Sequence, residues 1–259
     1  MRIAAIIEYD GSRFSGWQRQ DRQQTVQGCV EQALSRVADH PVRITVAGRT
    51  DAGVHALGQV IHFESDAQRS SHAWVRGANS HLPVAVALLW SGEVDAAFHA
   101  RFAATGRHYR YLILNRVVRP TYLAGRVTHE YRPLDIARMQ AGARHLLGTH
   151  DFTSFRSIQC EAQSPVRELR ALEVSREGEI VSIHVYANAF LHHMVRNLAG
   201  VLMAIGAGER EPAWAGDVLA ARDRTQGGVT AAPDGLYLTC VEYPETSAIP
   251  RLSNATGVW

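Results

Sequence analysis

The chain has 259 residues, 46% of them hydrophobic, so it can bury roughly three quarters of its extended surface in one large domain or two modest ones. A formal net charge of +2 excludes any case for nucleic-acid binding built on the average, leaving only the distribution of charge to carry one. Three widely separated cysteines (Cys29, Cys160, Cys240) with no C-x-x-C pair exclude a disulfide framework or a cysteine-built metal site and suit a reducing cytoplasmic setting, and no apolar run approaches the ~18 residues of a membrane span.

Residues 3–9 are β-branched and apolar, a run too short for the core of a signal peptide, and predict a first strand. DGSRFSGWQRQ then interrupts with two glycines. Thr25 is suited to cap a helix in which Val26, Cys29, Val30, Ala33, Leu34 and Val37 recur at helical spacing. Residues 42–46 and 58–63 read as strands on either side of the bend GRTDAGVH. A weaker helical segment at 70–80 and a strand at 84–90 complete the order β-α-β-β-α-β, the split pattern of ferredoxin-like units. The second half begins with the strand RHYRYLILN and a helix over 134–147. Strands at 166–175 and 180–187 follow, divided by the turn REGE. An apolar helix over 190–205, another over 212–221 and a last strand over 236–243 complete it, with weak patterning after Pro244. By pattern the fold is α+β with mainly antiparallel sheet, and the two halves share element order without a sequence repeat.

Asp51 stands between Arg49 and His55, with Gly48 and Gly53 on either side. As a turn former it needs no partner. As a nucleophile or general base it must stay ionised in a dry site, which calls for a nearby cation. A phosphate loop is excluded, because Val54 and His55 stand where Lys and Ser or Thr are required. The helix FLHHMVRNLAGVLMAIG offers one cation. Leu191, Met194, Val195, Leu198, Leu202 and Ile205 form its apolar stripe, while Arg196, mid-helix, shares a face with Ala199 and Gly200. Small residues there let another backbone approach, so Arg196 is expected to be partly buried, and either paired with a carboxylate or reaching water along its own stem. His192 and His193 read as helix residues that point apart, poor joint metal ligands. In RHYRYLI alternation puts Tyr109 and Tyr111 on one face, as core side chains or, for Tyr109, as a phenol to stack on a base or relay a proton.

The charge distribution is informative. There is no lysine, so all 27 basic residues are arginines, able to meet phosphate as planar bidentate forks. Between Asp95 and Glu130 no acid occurs, while Arg101, Arg107, Arg110, Arg116, Arg119 and Arg126 fall inside. This is a candidate RNA-contacting stretch, of which Arg101, Arg107 and Arg110 are expected to touch phosphate; the alternative for each is an acid of the fold.

The segments GRTDAGVHA, FHARFAATGRHYRYLI, LLGTHDFTSFRS and ANAFLHHMVRNLAG, with YDGSRFSGWQRQ before and APDGLYL after, resemble in order and spacing the bacterial-type tRNA pseudouridine synthase A family over about residues 2–243. The resemblance implies a pseudouridine synthase fold: two ferredoxin-like halves forming one mainly antiparallel sheet with flanking helices, and a cleft between the halves. The division it suggests is 1–103, carrying Asp51, then 104–245, carrying Tyr109 and Arg196, and a tail over 246–259. It implies isomerisation of uridine to pseudouridine at positions 38 to 40 of the tRNA anticodon stem-loop, by a homodimer, without cofactor or metal. By the same resemblance Asp51 matches the catalytic aspartate, Tyr109 the active-site tyrosine, Arg196 the arginine paired with the aspartate, and Arg49 the arginine that handles the flipped nucleotide. Two readings from other classes compete: an RNA-binding protein without chemistry on the same scaffold, and a hydrolase built on Asp51 and His55, which lacks any G-x-S-x-G elbow.

Overall fold

In the computed structural model, which describes residues 1–252, the chain forms ten strands and five α-helices among the described residues. In chain order these are β1 (Arg2–Tyr9), α1 (Val26–Ala38), β2 (Ile44–Val46), β3 (His55–Glu64), α2 (Ser71–Asn79), β4 (Val86–Val94), β5 (Gly106–Asn115), β6 (Thr128–Glu130), α3 (Ile136–Arg144), β7 (Gly148–Asp151), β8 (Val166–Glu177), β9 (Ile180–Ala187), α4 (Met194–Gly206), α5 (Trp214–Ala221) and β10 (Leu236–Glu242). The fold is mixed α+β with mostly antiparallel pairing. It divides into two units, Met1–Thr105 with Tyr237–Trp259, and Gly106–Leu236. Residues 253–259 of the predicted tail lie outside the described residues.

In the first unit β1 lies between β3 and β4, antiparallel to both, and is buried on both faces, as its unbroken run Ile3 to Ile7 requires. The far edge of β3 is shared. β2 pairs antiparallel with it along Ile61–Phe63, and the chain's last strand, β10, pairs parallel with it along His55–Ala56. Both helices start on side-chain caps: Thr25 Oγ1 accepts the Gly28 N–H (3.3 Å) and Ser70 Oγ accepts that of Ala73 (3.2 Å). The helices meet where Gly77 leaves room, since a Cβ there would stand 2.9 Å from Val37. Ile7, Leu34, Ile61, Phe63, Trp74 and Leu88 fill the core between helices and sheet.

The second unit has the antiparallel order β5-β9-β8-β7, with β6 parallel to β5. The Asp135 carboxylate caps α3, and α3 lies against α4 through glycines on both helices: Gly142 faces Ile205, and Gly206 faces Met139. The predicted helix over 190–205 needs correction at its start. It begins at Met194, with His193 at the N-cap in the left-handed region (φ +64°), so His192 and His193 belong to the turn that carries the chain from β9 into the helix, their rings 4.1 Å apart rather than pointing apart, and Arg196 sits in the first turn. The strands β6 and β7, of three and four residues, carried no apolar alternation to announce them.

Candidate active site

The loop between β2 and β3 carries Asp51, and its shape follows from what is pinned on each side. Before the aspartate, the Gly48 carbonyl accepts from Gln59 Nε2 (2.7 Å) and the Thr50 carbonyl from the Trp17 N–H (3.0 Å). Thr50 Oγ1 lies 2.8 Å from Tyr9 Oη, which also accepts from Gln59 Nε2 (3.4 Å). Either hydroxyl can donate in the Tyr9–Thr50 bond. Burial pushes the Tyr9 phenol up to about 12, with the bonds to Thr50 and Gln59 opposing, so it is a neutral hydroxyl that holds the loop.

After the aspartate, the Val54 N–H donates to the Asp51 carbonyl (3.2 Å) around Gly53 (φ +81°), the positive φ that a type II turn needs at this place. Gly11 lies so close under this turn that a Cβ would come within 1.9 Å of the Val54 oxygen. The buried His55 accepts the Gly11 N–H at Nδ1 (3.1 Å), with Asp10 Oδ1 3.3 Å from the same nitrogen, and its ring stacks on Tyr237 at 4.5 Å. Asp51 itself is half-buried on this fixed loop and Arg49 beside it is exposed.

In the second unit Tyr109 lies on β5 opposite Val185 of β9, half-buried, with its ring edge-on to Phe190 at 5.0 Å. Tyr111, on the same face, is fully buried and bonds to Thr128 Oγ1 (2.6 Å) and the Ala232 carbonyl (2.8 Å); burial raises its pKa strongly, outweighing the Thr128 bond and the Arg196 charge. The two tyrosines thus divide the readings the sequence left open: Tyr111 is core, Tyr109 keeps partial exposure. Arg196 is half-buried, and its Nε donates to the Ala231 carbonyl (2.8 Å) while the Ala231 N–H returns a bond to the Arg196 carbonyl (3.2 Å). One turn on, a Cβ at Gly200 would stand 1.9 Å from the Val229 oxygen. The close backbone approach expected from Ala199 and Gly200 is therefore made by the strap 229–231.

The arginine stretch separates by environment. Arg101 is exposed, its guanidinium 5.6 Å from the Phe102 ring centre. Arg107 donates to the Asn188 carbonyl (2.9 Å) and Arg110 to Ser182 Oγ (3.2 Å), both with partial exposure. Arg116 pairs with Glu179 (3.0 Å), the acid-of-the-fold alternative.

Sequence reasoning missed the supports. Tyr9, Gln59, Gly11 and Gly16 shape the Asp51 loop, and Asn197, 1% exposed, bonds to the Phe155 carbonyl (2.7 Å) directly after Arg196. Only the glycines of DGSRFSG gave a signal. The rest depends on contacts between residues 11 to 50 apart, which spacing does not reveal.

A family model described as tRNA pseudouridine synthase matches residues 5–103 and 143–244. The chain is 56% identical over 259 residues to tRNA pseudouridine synthase A of Nitrosococcus oceani, covering 100% of both chains. It is 57% identical over 251 residues to the Methylococcus capsulatus protein of the same name, covering 97% of this chain and 93% of that one. With the Pseudomonas aeruginosa protein of that name the identity is 54%, covering 96% and 88%.

Proposed function

The chain belongs to the tRNA pseudouridine synthase A family of isomerases, and from that premise we propose that it converts uridine to pseudouridine at positions 38 to 40 of the tRNA anticodon stem-loop, with Asp51 as nucleophile and no cofactor. Membership removes the two rival classes, since the family's activity is chemistry on tRNA. The observation that carries the assignment to Asp51 is its loop, fixed before the aspartate by Gln59 and Thr50 and after it by Gly11 and Gly53. A loop pinned on both flanks holds a reacting carboxylate within the tolerance that catalysis requires.

The reaction breaks the N1–C1′ bond, turns the uracil and joins C5 to C1′; the proton lost from C5 balances the one gained at N1. Nothing is oxidised or hydrolysed. The protein's tasks are therefore to extrude the nucleotide from its stack, hold the detached base, exclude water and move one proton. Three courses are open to a carboxylate here: attack at C1′, assistance to elimination of a glycal, or addition at uracil C6. Each requires Asp51 ionised. In this reading the Arg196 guanidinium keeps it so, Tyr109 packs on the base and assists removal of the C5 proton, and Arg49 handles the flipped nucleotide. Arg101, Arg107 and Arg110 meet the backbone phosphates. The enzyme acts as a cytoplasmic homodimer, with Asp51 in a first half, 1–103, and Tyr109 and Arg196 in a second, 104–245.

The test is tritium release from [5-³H]uridine in an unmodified tRNA transcript, with chelator present. Wild type should release tritium. Asp51→Asn, which keeps size and removes the nucleophile, should be slower by about a thousandfold or more while binding tRNA as wild type does. Appreciable multiple turnover by the pure variant would sink the assignment.

A further inference from the structure

A pocket of about 280 Å³ opens in the second unit between the turn after β7 and the turn after α5, with Thr153, Arg156 and Ser157 on one side and Arg222, Asp223 and Arg224 on the other. Its charges are unequally matched. The half-buried Arg156 guanidinium donates no hydrogen bond and joins no ion pair among the described residues. Arg224 Nη2 is bound only by neutral oxygens, Asn197 Oδ1 (3.0 Å) and Thr230 Oγ1 (2.8 Å). Arg222 Nε stands 3.7 Å from Asp151 Oδ2, beyond hydrogen-bond length.

The acids nearby are occupied by their own turns. Asp151 Oδ1 accepts from Thr153 N (2.9 Å) and Oγ1 (2.6 Å), and the Asp223 oxygens accept from Thr225 N (2.9 Å) and Oγ1 (2.8 Å). Burial alone would raise the Asp151 carboxyl; the Thr153 bonds and the Arg222 and Arg156 charges outweigh it and hold it low, so it stays an anion that neither arginine bonds directly. Ser157 Oγ accepts from Gln159 N (3.3 Å), which leaves its hydroxyl proton for another acceptor. The pocket thus sets three guanidinium groups, one of them in a long ion pair with Asp151, and a hydroxyl donor against one lining carboxylate. At about 280 Å³ it has room for a phosphate with its flanking ribose carbons. No aromatic side chain lines it to stack on a base.

The pocket is also tied to the turn that carries Arg196. Asn197, the next residue, donates to the Phe155 carbonyl (2.7 Å) and accepts from Arg224, and the Ser157 N–H donates to the His192 carbonyl (2.9 Å). One hydrogen-bonded network runs from the pocket wall to the start of α4. We infer that this pocket seats one phosphodiester of the tRNA backbone on Arg156, Arg222 and Arg224, an inference that rests on the function proposed above. Arg156 supplies the unpaired fork. Arg224, held by Asn197, sets the phosphate in register with the first turn of α4.

The test uses Arg156→Ala, because that guanidinium makes no hydrogen bond or ion pair among the described residues and its loss should leave the melting temperature close to that of wild type. Binding of unmodified tRNA transcript is measured across salt concentrations for wild type and variant. The variant should bind about tenfold more weakly, and the slope of log Kd against log salt should fall by roughly 0.7 to 0.9, the release of one phosphate's counterion. Neutralising the anticodon-arm phosphates one at a time as methylphosphonates should then reveal one position that weakens wild type and leaves the variant unaffected. Equal affinity and slope in the two proteins, or equal sensitivity at every position, overturns the inference. All of these readouts are binding, so a wild type that bound tRNA but released no tritium would overturn the proposed reaction and leave the phosphate comparison standing.

Discussion

His62 is buried on β3, where its Nδ1 accepts the Ala100 N–H (3.1 Å) and its ring meets Phe98 and His99. Protonating that nitrogen would break the bond. Burial first, then the His99 and Arg2 charges, hold its pKa down to about 4, with Glu64 opposing. In the unfolded chain the ring titrates near 6.5. Between the two values the unfolded state holds the extra proton, so the stability from a neutral His62 is complete above about 6.5 and drains away as pH falls toward 4. Urea unfolding should show a loss of about 1 to 2 kcal/mol between pH 7 and pH 5. His62→Asn, whose amide oxygen can still accept from Ala100, should flatten that dependence; an unchanged slope would assign it elsewhere. The bend that carries Asp51 was readable in the sequence because its glycines are local. The Tyr9–Thr50 bond, which holds the loop, joins residues 41 apart and left no trace there.

The helix α4 and the strap 229–231 act together, for the strap carbonyl that takes the Arg196 Nε–H lies two residues from the one that fills the space at Gly200. Gly200→Ala drives a methyl into the Val229 carbonyl and must displace either helix or strap. It should cost about 1 to 3 kcal/mol. Turnover should fall further than stability, because Arg196 loses its fixed partner. A variant that melts and turns over like wild type would show that the strap yields freely. This contact was foreshadowed by small residues beside an apolar stripe. The start of α4 was not, because apolar spacing continues through Phe190 and Leu191 while the backbone at His193 is left-handed, and a side-chain pattern does not report φ.

Across the whole molecule, the order β-α-β-β-α-β of the first unit was legible from alternation and spacing, since neighbours in sequence pair or pack there. The partner of the last strand was not. Tyr237 and Leu238 pair with His55 and Ala56, and nothing local in APDGLYL specifies so distant a neighbour. Stopping the chain after Gly235 removes that pairing and the Tyr237 ring from His55. We expect limited proteolysis of the shortened chain to cut first in the loops around Gly11 and Gly53, ahead of sites in 106–235. Equal protection of both regions would show that β10 contributes little. The same pairing sets an order on synthesis. The ribosome makes Met1–Thr105, then the 131 residues Gly106–Leu236, before the strand that pairs with β3 emerges. At 5–20 residues per second those 131 residues alone take roughly 7 to 26 seconds, during which the nascent edge of β3 at His55 and Ala56 lacks its final neighbour, so the loop that bears Asp51 takes its finished support only after the second unit has been made.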